Sequence, residues 1–342
     1  MNAPAQIVMS VEEIAALAEA ALVASGASAL QAAPLARAIA AAEADGIASH
    51  GLAYLATYCE HLRCGKVVGT AVPEVVHPKP ALLVVDAKSG FAHPAIEEGF
   101  KRLIPLARDT GIAALAVRNS YNCGVLGYHT ERLAKAGLVG LGFTNAPASI
   151  APLGGRKAVV GTNPFAVAVP DGNGGVAISI DQSASVVAKS EIMRHKRAGK
   201  AIPQGWAYGP DGALTTDPDT ALKGTMAPSG GYKGFGAGLM VEILAAAASG
   251  ATLGLDASPF SGPVGGPPRT GQFFIAIEAN ASSGGAFGER IARLAEAIAT
   301  QEGAHVPGAR RKGARAKAAS GIAVATDLVE QAKAAVRQHA PT

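Results

Sequence analysis

The chain has 342 residues, 49% of them apolar and 5% aromatic, with 42 glycines and a formal net charge of +4. This length exceeds one average domain and predicts two lobes with room for a ligand between them, and the composition excludes a disordered or fibrous polymer. The charge is modest, and the basic run of Arg310, Arg311, Lys312, Arg315 and Lys317 lacks the interleaved aromatics that would stack on bases, so no nucleic-acid partner is expected.

The apolar run 11–23 carries Glu12, Glu13 and Glu19 with no basic region before it, and so reads as an amphipathic helix, not a signal peptide or a membrane span. Ser10 ahead of Glu13, and Ser28 ahead of Gln31, are capping-box patterns that predict two N-terminal helices, the first ended by Gly26. A third helix is expected from near Ser49. From Ala81 the periodicity alternates: strands over 82–85 and 112–117 flank a helix over 94–108, and a helix over 128–136 precedes strands over 138–143, 159–169 and 176–181. A helix follows over 186–198, then a long Gly/Asp/Thr/Pro-rich loop over 203–218 with its clearest turn at Gly209-Pro-Asp-Gly212. A helix over 233–248, a Gly/Pro-rich loop over 258–271, a strand over 272–278 and helices over 287–300 and 326–338 complete the pattern. Cys59, Cys64 and Cys123 are odd in number and lack zinc-knuckle spacing, which predicts free thiols in a reducing cytoplasm.

Ser49-His50-Gly51 places an imidazole near an element end, where its ordinary pKa of about 6.5 suits acid-base work; a satisfied structural histidine is the alternative. No His/Cys spacing predicts a metal. Gly154-Gly155, Gly161-Thr162-Asn163 and Gly230-Gly231 are turns whose amides suit phosphate, or plain turns. The Arg310-Arg311-Lys312 run suits a phosphate by charge and fork geometry, or is a solvated basic loop. The dinucleotide fingerprint G-x-G-x-x-G occurs only as near misses, at Gly140-Leu-Gly142 ending in Asn145 and at Gly234-Phe-Gly236 running into Leu239, so the ordinary Rossmann reading fails.

With these segments in order, the chain resembles the malate/L-lactate dehydrogenase family of the sulfolactate dehydrogenase type, which also holds ureidoglycolate dehydrogenase and Δ1-piperideine-2-carboxylate reductase. The resemblance spans nearly the whole chain. It rests on Glu43-Ala-Asp-Gly-Ile-Ala-Ser-His-Gly51, Pro152-Leu-Gly-Gly155, Gly161-Thr-Asn-Pro164, Thr215-Thr-Asp-Pro218, Gly230-Gly-Tyr-Lys-Gly234 and Val306-Pro-Gly308. It implies an α/β chain with a non-Rossmann three-layer α/β/α fold and a mixed, largely antiparallel sheet. A helical lobe of residues 1–78 with 279–342 would close over a nicotinamide cofactor-binding domain of residues 79–278, in a homodimer.

Carried over by motif, the resemblance assigns proton transfer to His50 with Ser49 and Glu191. It assigns the cofactor to Asn122, Cys123, Gly124, Val125, Leu126, Asp181, Gln182, Ser183, Gly231, Tyr232, Val306, Pro307, Gly308, Ala309, Arg310, Arg311 and Lys312. Thr162, Lys189, Ser190 and Tyr54 would face the substrate, with Tyr54 standing where relatives often carry a carboxylate-clamping Arg and Lys189 as the replacement cation. Asn122 stands where many relatives have His. The expected activity is NAD(P)-dependent hydride transfer at C2 of a small anionic 2-oxo or 2-hydroxy acid of malate, lactate or sulfolactate type, and the basic run inclines the cofactor toward NADP over NAD. A Glu191 paired to His50 would raise the imidazole pKa and lean toward the alternative, a reductase of a cyclic imino acid such as Δ1-piperideine-2-carboxylate or Δ1-pyrroline-2-carboxylate. Lys189 and Ile202-Pro-Gln-Gly-Trp206 lean back toward the hydroxy acid. The substitutions at Tyr54 and Asn122 motivate a third possibility, a cofactor-binding protein without catalysis.

Overall fold

In the computed structural model, which describes residues 5–337, Ser10 and Glu13 form the expected capping box at the start of the Val11–Ala24 helix, exchanging bonds of 2.7 and 3.1 Å. The second pattern fails. Ser28 flanks the Ala29–Ala44 helix without a side-chain cap, because Gln31 is fully buried and its amide serves the Ala71 carbonyl (2.7 Å) and the Phe91 N–H (2.8 Å) instead. A buried amide needs partners more than an exposed helix end needs a cap.

The centre is a seven-stranded sheet in the order Glu74–Lys79, Leu82–Asp86, Ile112–Ser120, Thr270–Ile277, Val139–Thr144, Phe165–Pro170, Val176–Gln182. Leu82–Asp86 and Ile112–Ser120 are its one parallel pair, and every other neighbour is antiparallel. The expected mixed, largely antiparallel α/β/α fold is therefore what the chain adopts. Strand alternation sends Phe274 to one face, where it meets Phe100, Leu115 and Leu133 beneath the Ala92–Thr110 and Leu126–Lys135 helices. Phe273 and Ile275 go to the other, against Val241 and Ala245 of the Tyr232–Glu242 helix and its π-helical continuation Ile243–Ala248.

Beside the sheet, the Val11–Ala24, Ala29–Ala44, Leu52–Arg63 and Thr326–Arg337 helices share a core of Ile14, Leu22, Leu35, Ile39, Leu55 and Val329. The strands Gln6–Met9 and Ile322–Ala325, neither expected from the sequence, pair antiparallel and join the two ends of the described chain. Among the described residues no helix is long and apolar enough to cross a membrane.

Several boundaries move. The helix expected from Ser49 is two elements, a 3-10 turn Ala48–His50 and the Leu52–Arg63 helix. The strand expected over 159–169 begins only at Phe165, because Asn163 takes a left-handed φ of 37° and Val160 makes just an isolated bridge to Ile150. The 203–218 loop contains a small hairpin, Ala207–Tyr208 with Leu214–Thr215, around the predicted turn. The Arg310-Arg311-Lys312 run is not a loop but part of the Ala309–Ala318 helix. Gln338, the last residue of the expected C-terminal helix, lies outside the described residues.

Candidate active site

Asp45 ends the Ala29–Ala44 helix, and the 3-10 turn then presents Ser49 and His50 before the chain re-enters a helix at Leu52. Ser49 Oγ lies 3.1 Å from His50 Nδ1, which leaves Nε2 to meet a substrate. Burial lowers the His50 pKa below its ordinary value. This corrects the expected carboxylate pairing. Glu191 is held by Arg194 through bonds of 2.7 and 3.0 Å within one helical turn, and among the described residues no hydrogen bond joins it to His50. That local pair lowers the Glu191 pKa and leaves the imidazole to desolvation alone.

One turn beyond the histidine, Tyr54 donates its hydroxyl to the Phe260 carbonyl at 3.2 Å and stands edge-on to Tyr58, ring centroids 4.7 Å apart. Tyr58 donates to Asn122 Oδ1 (3.0 Å), which also accepts the Gly124 N–H (3.1 Å), so the 122–126 loop is fastened to the helix that follows His50. Tyr54 is thus committed to a backbone carbonyl and does not stand in for a guanidinium clamp. Cys123 is buried with its thiol pushed up to about 12 by desolvation, and it serves this loop through its carbonyl, which accepts from His129 Nε2 at 2.9 Å. Val125 and Leu126 are likewise buried apolar side chains, which leaves their backbone for any ligand.

A groove of about 490 Å³ gathers Asp181, Gln182, Gly308, Arg310 and Arg311, cofactor residues predicted from two distant stretches of sequence, and its wall includes Ile47. Ile47 accepts the His50 N–H at 3.0 Å, so the groove abuts the histidine turn. At its floor Asp181 Oδ2 accepts the Gly127 N–H (2.8 Å) at the start of the Leu126–Lys135 helix. A Cβ on Gly127 would stand 2.5 Å from Arg311 Nη1 and 2.8 Å from Asp181 Oδ2, so any larger residue here would push these two side chains out of their present positions. Desolvation raises the Asp181 pKa against the opposing pull of that N–H and of Arg311.

The two arginines differ in kind. Arg311 is 13% exposed, donates Nη2 to Ser179 Oγ (2.8 Å), and sets Nη1 between Glu131 Oε1 (3.6 Å) and Asp181 Oδ2 (3.8 Å) with no hydrogen-bond acceptor. Arg310 is exposed and lines the groove, while Lys312 and Ala309 are exposed on the same helix and Val306 and Pro307 lead into it. The exposed Arg310 guanidinium as donor and the Asp181 carboxylate as acceptor fit the phosphate and ribose hydroxyls of a dinucleotide.

A second cluster forms where the Thr162 carbonyl accepts the Ala184 N–H (2.8 Å), Ser183 Oγ meets Ser185 Oγ (3.0 Å), and the Ser229 N–H binds the Ala184 carbonyl (2.8 Å) ahead of Gly231. Thr162, Ser183 and Gly231 are therefore brought together. Lys189 and Ser190 open the exposed first turn of the Lys189–Arg197 helix, and Tyr232 is 65% exposed. The Gly161-Thr-Asn turn is not a phosphate cradle. Asn163 is fully buried there, accepting from the Ala146 N–H (3.1 Å) and donating to the Gly238 carbonyl (2.8 Å) and Glu242 Oε2 (2.7 Å). Asn163 and Glu242, like Asp45, Glu131 and Arg315, were missed; only the placement of Asp45 and Asn163 inside ordered motifs signalled them.

The family model for malate/L-lactate dehydrogenase matches residues 9–333. The chain belongs to the malate/L-lactate dehydrogenase family. As a member of that family it is an oxidoreductase, and the likeness read from its motifs holds along its length. It is 42% identical over 326 residues to (2R)-3-sulfolactate dehydrogenase (NADP(+)) of Chromohalobacter salexigens, covering 95% of this chain and 97% of the relative. It is 39% identical over 330 residues to Δ1-pyrroline-2-carboxylate reductase of Ancylobacter novellus, covering 95% and 96%. Its fold superposes on the crystal structure of Δ1-piperideine-2-carboxylate reductase from Pseudomonas syringae with a TM-score of 0.91 at 33% identity, covering 96% of this chain and 99% of that one. Within the malate/L-lactate dehydrogenase family, then, the chain is similar both to an enzyme named for a hydroxy acid and to enzymes named for cyclic imines.

Proposed function

We propose that the chain is an NADP-dependent dehydrogenase that moves a hydride between the nicotinamide and C2 of a small 2-oxo or 2-hydroxy acid of malate, lactate or sulfolactate type. The observation that carries this is the meeting, at Ile47, of the Asp181–Arg311 groove with the turn that bears Ser49 and His50. The lobe of residues 1–78 with 279–342 supplies His50 and Arg310, and the α/β unit of residues 79–278 supplies Asp181, so the cleft between them excludes water as the lobes close. When bound, the cofactor would supply the hydride for reduction and accept it in oxidation. Ser49 holds the imidazole by Nδ1, and Nε2 takes the hydroxyl proton during oxidation or returns it to the developing alkoxide during reduction. A buried imidazole is neutral near pH 7, the form that accepts a proton, and an anionic substrate beside it favours the charged form that reduction requires.

The Glu191–Arg194 pair, in place of a Glu191–His50 pair, supports the hydroxy-acid reading over the imine one. Reduction of a cyclic imino acid is the second, favoured by the names of two of the relatives above. Nicotinamide absorbance followed with sulfopyruvate, pyruvate, oxaloacetate, Δ1-pyrroline-2-carboxylate and Δ1-piperideine-2-carboxylate separates them. Faster oxidation of NADPH by an oxo acid supports the first, faster oxidation by an imine the second, and cofactor binding with no turnover on any would leave a protein without catalysis.

We assign the 2′-phosphate to Arg310, because Arg310 is exposed in the groove whereas Arg311 is withdrawn from solvent and gives Nη2 to Ser179. Losing one charge-assisted hydrogen bond costs about 1.5–3 kcal/mol, so Arg310→Ala should weaken NADPH by roughly ten- to a hundredfold and leave NADH unchanged in a fluorescence titration. An equal loss for both cofactors would place the phosphate elsewhere.

The partner is a second copy of the chain. The Tyr232–Glu242 helix and its continuation expose Leu239 (42%), Met240 (42%) and Ile243 (53%) on neighbouring positions, an apolar patch on the face away from the sheet. Ile243→Glu should convert the homodimer to monomer by light scattering on a sizing column; an unchanged mass would move the interface. Three cysteines without disulfides are consistent with a reducing cytoplasm.

A further inference from the structure

The His50 turn is held at both of its ends by carboxylates. Glu43 Oε1 accepts the Leu52 N–H at 2.7 Å just past the histidine, and a Cβ on Gly51 would stand 2.1 Å from that oxygen, so the turn closes tightly against Glu43. At the other end Asp45, 3% exposed in its side chain, receives a two-pronged contact from Arg315, through Nε to Oδ1 and through Nη2 to Oδ2 at 2.7 Å. Arg315 extends its third nitrogen, Nη1, to Glu131 Oε2 at 2.6 Å. Glu131, 4% exposed, also accepts from Ser179 Oγ at 2.8 Å, and Ser179 is the acceptor of Arg311.

Arg315 lies one helical turn beyond Arg311 on the Ala309–Ala318 helix, which starts in the groove. Glu131 lies one turn beyond Gly127 in the Leu126–Lys135 helix, and the Gly127 amide holds Asp181. One guanidinium therefore ties together the helix that starts in the groove, the helix that holds the groove residue Asp181 through Gly127, and the residue from which the histidine turn departs. Each contact is a fork or a charge-assisted bond from a half-buried guanidinium to a carboxylate withdrawn from water, which fixes the geometry more firmly than a surface pair does.

We propose that Arg315 is a positioning residue that couples occupancy of the cofactor groove to the Ser49–His50 turn, so that the proton donor is aligned only when the hydride donor is in place. This rests on the reading of the groove as the NADP site. The coupled element is the stretch 46–52, between the Asp45 fork and the Glu43–Leu52 bond.

The test is backbone amide exchange with and without NADP⁺, with binding measured separately by fluorescence. In the wild type NADP⁺ should slow exchange over 46–52 by about threefold or more. In Arg315→Met, NADP⁺ should still bind within about threefold of wild type while that slowing disappears. Asp45→Asn, which keeps the side-chain volume and so guards against a misfolded methionine variant, should behave alike. With NADPH and whichever of sulfopyruvate or Δ1-pyrroline-2-carboxylate the wild type reduces, both variants should lose turnover without a rise in KM for NADPH, and Arg315→Lys should recover part of it.

Slowing retained in both variants, or absent from the wild type, overturns the coupling. Loss of NADP⁺ binding in the variants also overturns it, making Arg315 part of the binding site itself. A wild-type chain that binds no NADP⁺ instead removes the reading of the groove, a result the binding measurement reports independently of exchange.

Discussion

His50→Ala should lower turnover by roughly two to four orders of magnitude while leaving the Kd for NADPH unchanged. The loss is this large because the histidine is the only titrating side chain of the 3-10 turn, has Ser49 as its one side-chain partner, and directs Nε2 away from it. The pH dependence gives a second readout. Burial places the imidazole pKa below 6.5 in the free protein, so kcat/KM for reduction should rise as pH falls through that pKa, and for oxidation should rise as pH climbs through it. His50→Ala should erase this limb in both directions. Steady-state rates measured from acid to neutral pH check it; near-normal turnover with the limb intact would shift proton transfer to another group, with the Tyr54 hydroxyl the first to test.

The second large effect is on stability. Asn163→Ala removes a fully buried amide, strands the Ala146 N–H and the Gly238 carbonyl, takes one donor from the buried Glu242 carboxylate, and forces alanine into a left-handed backbone of φ 37°. Glu242 would be left with the Gly254 N–H (2.6 Å) and the longer Asn145 contact (3.3 Å). Unmet buried polar groups and left-handed strain together cost about 2–4 kcal/mol, which lowers the melting midpoint by several degrees. Differential scanning calorimetry decides it, and a midpoint within a degree of wild type would show that Asn163 is dispensable to the hub. Thr162, presented by the same turn, should lose its alignment with Ser183 in this variant even where the chain stays folded.

Local patterns foretold what depends on local chemistry. Ser10 with Glu13 gave its capping box, Gly209-Pro-Asp-Gly212 its turn, and the failed G-x-G-x-x-G pointed away from a doubly wound sheet. What escaped depends on distant partners. Gln31 looks like half of a cap and is a buried crosslink between Ala71 and Phe91; the run from Arg310 looks like a solvated loop because no apolar stripe betrays the Ala309–Ala318 helix, whose Arg311 and Arg315 face carboxylates from elsewhere in the chain. The same limit governs the site. Motif order located Asp181, Gly308 and Arg310, but whether Glu191 would serve His50 or Arg194 was a contest between a long-range and an i,i+3 contact, which sequence spacing cannot decide.

The pairing of Gln6–Met9 with Ile322–Ala325 also bears on how the enzyme comes into being on the ribosome. The Val11–Ala24 and Leu52–Arg63 helices rest on the Thr326–Arg337 helix, the last described element to be synthesised, and share with it the core around Ile14, Leu22 and Val329. The sheet, complete by Ile277, can collapse while the first helices still lack that final partner. The lobe that carries the histidine turn therefore completes its core only once Val329 has been made.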